Sequence, residues 1–231
     1  LYTFIIIYSF SLFAQEKEVK LKFIETSDVH GNFFPYNFIT RKADTGSLAR
    51  IYSLIETRRE EYGDNLILID NGDILQGQPG AYYYNYIDTA STHLCAQMMN
   101  YMEYNIGNVG NHDIEVGRPT LNRWIRDCNF PILGANIINK STGKPALKPY
   151  EIIEKKGVKI AILGMITPAV PFWLPEDLWR GLHFDDMEKT ARKWIRIIKK
   201  QENPDLIIGL FHSGQYESIL VRKYRDNASS T

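Results

Sequence analysis

Four stretches of the chain run apolar and then stop at a polar residue beside glycine: "VKLKFIETSDVHG", "DNLILIDNGD", "NIGNVGNHD" and "PDLIIGLFHSG". Continuous apolar runs bounded by turn residues suit strands covered on both faces. Between the first three runs the spacing changes to a helical period. "SLARIYSLIETRREEY" puts Leu48, Ile51, Leu54 and Ile55 on one face, and "THLCAQMMNYM" does the same with Leu94, Met98 and Met102. Pro119 opens a third helix, "PTLNRWIRDC", in its first turn, where a missing N–H costs nothing. Further on, "PILGANII" and "YEIIEKKGVKIAILGMIT" read as strands, the second a hairpin turning at "KKG", and "MEKTARKWIRIIKK" reads as a helix before the fourth run. Strand and helix alternate, which makes the chain α/β, with a second sheet for the later strands. In such sheets ligands bind beyond the carboxyl ends of the strands, and all four polar endings fall there.

At 231 residues, 44% of them hydrophobic and 23% charged, the chain is large enough for one well-packed domain. Twenty-seven basic and 27 acidic side chains cancel, so no bulk field draws it to nucleic acid or to an anionic membrane. An anionic substrate must then be held locally, by metal or by a few placed groups. The opening "LYTFIIIYSFSLFAQ" is apolar over roughly 14 residues, short of the ~20 that span a bilayer. Small residues up to Ala14 and the charged "EKEVK" after it resemble the end of a secretory signal, with a buried first strand as the alternative. Residues 1–15 are expected to be a partial signal peptide. The mature protein is then periplasmic or secreted, without lasting membrane association. Cys95 and Cys128 fall in helical segments without metal-type spacing and read as small buried hydrophobes.

The strand endings supply Asp28 and His30, then Asp73, then Asn111 with His112, and finally His212. Taken singly, an Asp beside Gly is often a turn residue. The consecutive Gly-Asn-His-Asp, in the same topological place as the other three endings, makes the combination informative. Carboxylate, imidazole and amide oxygen together suit Mn, Fe or Zn rather than an all-oxygen cage or a thiolate site. Gly31, Gly72, Gly110 and Gly214 leave room for sharp turns and for ligands.

The ordered set "DVHG", "NGD", "GNHD" and "FHSG" resembles the calcineurin-like metallophosphoesterase superfamily. The contexts "IETSDVHGNFFPYNF" and "GSLAR" are similar to its 5'-nucleotidase and 2',3'-cyclic-nucleotide phosphodiesterase branch. The likeness covers almost everything after Glu18. It implies a four-layer αββα sandwich of two mixed sheets, two divalent metal ions (Mn, Zn or Fe), and hydrolysis of nucleotide phosphoesters by metal-activated water. By position, the resemblance implies that Asp28 and His30 bind the first ion, Asp73 bridges, and Asn111 and His212 bind the second. His112 would protonate the leaving alkoxide or steady the phosphoryl group. The branch orients this histidine with a carboxylate three positions on, usually Asp and here Glu115, with Asp113 as a rival. Asn111 and His112 would face substrate.

Arg50 of "GSLAR" is a candidate phosphate contact, weighed against a solvated helix-face arginine. The aromatics of "NFFPYNF" and "AYYYNY" would either line a base pocket or pack. The family completes its metal shell with a later Gly-His-x-His motif, which does not appear before "NASST". His93, in a helix, and His183, in a loop, do not stand in for it. A catalytic domain over residues 16–231, incomplete at its C-terminus and followed by a substrate-binding domain, is therefore expected. The competing readings are a non-catalytic metal- or nucleotide-binding module of the same fold and a metallophosphoesterase acting on another phosphoester. A nuclease is disfavoured because no basic stripe accompanies the zero net charge.

Overall fold

The computed structural model describes residues 18–214, so the expected signal segment and everything after Gly214 lie outside the described residues. The chain runs β1 (Lys22–Thr26), a small hairpin of β2 (Tyr36–Asn37) and β3 (Lys42–Ala43), α1 (Leu48–Tyr62), β4 (Leu66–Asp70), α2 (Pro79–Tyr86) and α3 (Leu94–Tyr101). There follow β5 (Ile106–Asn108), α4 (Asn111–Glu115), α5 (Arg118–Asp127), β6 (Ile132–Leu133), β7 (Ile137–Asn139), β8 (Tyr150–Lys155) and β9 (Val158–Ile166). The last elements are α6 (Val170–Trp173), β10 (Leu182–Phe184), α7 (Met187–Gln201) and β11 (Leu206–His212).

Two sheets carry the site. The first has the order β1-β4-β5-β6, and its strands are all parallel. The second has the order β11-β9-β8, with β11 parallel to β9 and β8 antiparallel to it, so among the described residues only this sheet is mixed. Strand periodicity divides the core between layers. In β4, Leu66 and Leu68 join the cluster under α1, α3 and α5, while Ile67 and Ile69 turn to the space between the sheets. In β9, Ile160 and Ile162 meet them there, while Ala161, Leu163 and Met165 pack under α7. Helix, sheet, sheet and helix thus form the four-layer sandwich, and β4 up to Ile69 and β9 from Ile160 are apolar because both of their faces are covered.

The "KKG" hairpin joins β8 to β9 through Lys156 and Gly157, both at positive φ (52° and 83°), the geometry of a two-residue turn matched to strand twist. Pro119 sits in the first turn of α5 as the pattern predicts. Other expectations shift. In α1 Leu48 and Ile55 are buried but Leu54 faces solvent. Of the stripe expected here, Met102 at the end of α3 is buried and Leu94 and Met98 are half-buried, while Cys95, Ala96 and Met99 beside them are fully buried. His93, expected in the helix, instead caps it from inside the core. Cys128 ends α5 rather than lying within it, and both cysteines are free thiols. His183 lies in β10, not in a loop, exposed and 3.2 Å from Asp185.

Side-chain amides join the sheets at their carboxyl ends. Asn108 Nδ2, from the first sheet, donates to the Met165 carbonyl of the second (2.9 Å). Asn71 Nδ2 donates to the Phe211 carbonyl (3.3 Å). Buried Asn136 donates to the Ile166 carbonyl (2.7 Å) and accepts from its N–H (3.0 Å).

His93 itself generates a test. Its Nδ1 accepts the Cys95 N–H (3.2 Å), so Nε2 carries the proton and donates to Asn85 Oδ1 (2.9 Å). Burial, helped by the Arg123 guanidinium, lowers its pKa from 6.5 to about 4. Below pH 6.5 the unfolded chain takes up a proton that the folded chain refuses, so stability falls with pH until about pH 4. Denaturant titrations should show wild type losing about 3 kcal/mol more than His93→Asn across that window. Parallel curves for the two proteins would contradict it.

Candidate active site

Three loops from the first sheet and the end of β11 from the second converge on one cleft of about 390 Å³. After β1 the chain passes through Asp28 and His30, and after β4 through Asp73, all three left-handed (φ 54°, 49° and 62°). Such geometry costs about 1–3 kcal/mol per non-glycine residue and persists only where the surroundings enforce it. Here they do. The Asp28 N–H donates to the Gly72 carbonyl (3.0 Å) and the His30 N–H to the Asp73 carbonyl (2.9 Å), laying the first loop on the second. The third loop is pressed against the second at two glycines. A Cβ on Gly72 would stand 2.4 Å from the Gly110 nitrogen, and one on Gly110 would stand 2.1 Å from Asp73 Oδ1. Neither contact is tolerable, so both positions require glycine.

Two groups of donor atoms result. Asp28, Asp73 and His212 offer atoms all within 4.8 Å of one another, and so do His30, Asp73 and His112. Asp73 belongs to both. Asp28 and His30, expected as a pair, fall in different groups but remain neighbours, with His30 Nε2 3.9 Å from Asp28 Oδ1. Asn111, the first residue of α4, lines the same cleft.

Hydrogen bonds set the imidazoles. His212 Nδ1 donates to the Asn71 carbonyl (2.8 Å), which turns Nε2 toward Asp73 Oδ2 at 3.1 Å. Burial opposes a charged imidazole here, yet the hydrogen bond and charge of Asp73 outweigh it and raise His212 to about 9. Asp73 is lowered in turn: burial works against it, but the bond and charge of His212 prevail. His112 Nδ1 donates to Glu115 Oε2 at 2.5 Å, leaving Nε2 for the cleft. Glu115, not Asp113, is therefore its partner. Asp113 points the other way and is buried among backbone amides. Beneath the second loop, buried Asp70 accepts from Thr26 Oγ1 (2.6 Å) and from the Gly72 N–H (3.0 Å), and burial pushes its carboxyl up to about 7.

Of the residues picked from the sequence, Asp28, His30, Asp73, Asn111, His112 and His212 line the cleft, with Glu115 bonded to His112. Arg50 does not join them. Burial of Leu48 and Ile55 turns it outward on α1, where it is exposed. The aromatics of the two tyrosine- and phenylalanine-rich segments do not line the cleft either: Phe33 is core, while Phe34, Tyr36, Phe38, Tyr82 and Tyr86 are exposed. Trp173 of α6 lines it instead, and Ser27, whose hydroxyl donates to Asp28, and Asn71 were missed. Asn71 stood within the quoted "DNGD", but nothing local marks it as a bridge to the other sheet.

The donor set fits divalent cations. Carboxylates and imidazoles alternate around a shared carboxylate, and His30 Nδ1 is buried without a hydrogen-bond partner among the described residues.

Comparison with known proteins gives this geometry a lineage. The profile of the calcineurin-like phosphoesterase family matches residues 21–228. A 2',3'-cyclic-nucleotide 2'-phosphodiesterase/3'-nucleotidase of Yersinia enterocolitica is 32% identical over 213 residues, 87% of this chain and 32% of that protein. A 5'-nucleotidase of Vibrio cholerae is 32% identical over 206 residues, 88% of this chain and 35% of its own length. The crystal structure of the calcineurin-like phosphoesterase YfkN from Bacillus subtilis superposes with a TM-score of 0.77 at 31% identity, covering 86% of this chain and 63% of the other. The chain spans about a third of the length of these two nucleotide-processing relatives. With one family profile running from β1 past the end of β11, the chain belongs to the calcineurin-like phosphoesterase family.

Proposed function

We propose that this chain carries a dinuclear metal centre that hydrolyses nucleotide phosphoesters, as a 5'-nucleotidase, a 2',3'-cyclic-nucleotide phosphodiesterase, or both. The observation that carries the reading is Asp73, common to two groups of ligand atoms as a bridging carboxylate must be. Asp28, His30, Asp73, Asn111 and His212 would hold the ions. When bound, two divalent cations supply Lewis-acid polarisation of water and of the phosphoryl oxygens.

The chain's own groups do the rest. His112 Nε2 faces the cleft and gives a proton to the leaving alkoxide, while Glu115 on Nδ1 steadies the imidazolium and its orientation. Asn111 and His112 contact the phosphoryl group. Net charge supplies no attraction, so substrate affinity depends on the local cations and these two side chains. The nucleotide class rests on the names of the relatives. We further propose that the protein is exported to the periplasm or medium, and that a second domain in a longer protein completes the substrate pocket.

Phosphate release from AMP and opening of 2',3'-cyclic AMP to the monophosphate, assayed in the full-length protein with added Mn or Zn, test the reading. Activity should vanish with chelator and fall about 10²–10⁴-fold in His112→Ala. Glu115→Gln should lose roughly 10–100-fold. No phosphate from AMP and no ring opening of 2',3'-cyclic AMP with any ion would refute the assignment. Metal binding also has a proton signature. His212, raised to about 9, must shed its proton to ligate, so calorimetry near pH 7 in buffers of different ionisation enthalpy should show proton release that fades toward pH 9. Binding without proton release at pH 7 would contradict a His212 that is protonated before the ion arrives.

A further inference from the structure

We propose that Asp113 is a positioning residue, a buried clasp that fixes the Asp73 carboxylate against the turn bearing Asn111 and His112. This rests on the dinuclear reading above. The Asp113 side chain is fully buried, and its two oxygens accept four backbone N–H groups. Oδ2 takes those of Asp73 and Gly110, both at 2.8 Å, and Oδ1 takes those of Ile74 (3.0 Å) and Leu75 (2.9 Å).

A helix cap alone would need only the Gly110 amide, because Asp113 is the third residue of α4. The other three amides belong to the loop after β4, up to 40 positions earlier in the chain. One of them is the N–H of Asp73 itself, the residue held at a φ of 62°. The clasp therefore acts where the two loops touch, at Gly72 and Gly110, and it sets the direction in which the Asp73 carboxylate leaves the backbone. That carboxylate in turn accepts the His112 N–H on Oδ1 (2.8 Å) and meets His212 Nε2 on Oδ2 (3.1 Å). A shift of Asp73 disturbs both ligand groups at once.

The chemistry makes Asp113 hard to replace. A carboxylate offers two acceptor oxygens, whereas an amide of the same shape offers one oxygen and an NH₂ that would face two donors. Asp113→Asn therefore keeps at most two of the four bonds, and Asp113→Ala keeps none.

The test compares wild type, Asp113→Asn, Asp113→Ala and a control, Ile198→Ala, which destabilises the core under α7 away from the cleft. The readouts are Mn²⁺ affinity and the electron paramagnetic resonance signal of the bound pair, taken well below each protein's unfolding temperature. Wild type should bind two Mn²⁺ with magnetic coupling between them. Both Asp113 variants should weaken both ions about 10–100-fold and lose the coupled signal, while the control keeps both. Wild-type affinity and coupling in Asp113→Asn, or equal losses in Ile198→Ala, overturn the proposal.

A second measurement needs no variant. Hydrogen exchange of the metal-free wild type should protect the Asp73, Ile74, Leu75 and Gly110 amides as strongly as those of β4, and fast exchange at these four overturns the clasp. A wild type that protects these amides but binds no Mn²⁺ overturns the dinuclear reading and the positioning role together.

Discussion

The cleft depends on His212, at the end of β11, meeting Asp73, just past the end of β4, across the junction of two sheets. Neither residue reaches the other unless the sheets are held at a fixed separation and register. The apolar layer of Ile67, Ile69, Ile160, Ile162 and Leu210 provides the separation without direction. Direction comes from polar groups at the carboxyl ends. Asn71, Asn108 and Asn136 each span from one strand end to another, and the Asn71 carbonyl also aims His212. Buried amides of this kind lose far more when a partner is removed than they gain in net stability when formed, so they specify geometry more than they add free energy.

A second constraint follows from packing loops this tightly. Bringing three strand endings onto the one carboxylate of Asp73 goes with left-handed backbone at Asp28, His30 and Asp73 and leaves no room for a side chain at Gly72 or Gly110. That strain is offset by hydrogen bonds that the same crowding permits, from Asp28 to Gly72, from His30 to Asp73, and from four amides to Asp113. Pre-set ligand directions are the functional return, because no reorganisation is then needed when charge arrives.

Much of this was legible in the sequence, and the reasons are specific. The cleft residues announced themselves because they end apolar runs beside glycine, and strand ends in an α/β sheet are where ligands bind. Both core faces of β4 and β9 were visible in uninterrupted runs such as "LILI" and "IAIL". The family resemblance pointed to Glu115 over Asp113, as the structure has it, but local spacing alone left both open, since the choice depends on which carboxylate the loop after β4 claims. In α3 the period found Met102 but not the fully buried Cys95, Ala96 and Met99, and nothing in it marked polar His93 as a cap placed within the core. Arg50 shared a motif with the site but not a surface, and Trp173 reached the cleft from a short helix with no periodicity to expose it. Local chemistry and period were readable. Contacts between residues distant in sequence were not.

The most direct measurement is anomalous diffraction at the manganese edge from crystals of the metal-loaded protein. Two peaks should appear in the cleft, both within ligand distance of the Asp73 carboxylate, one toward Asp28 and His212 and one toward His30. A single peak, or two that do not share Asp73, would contradict the account.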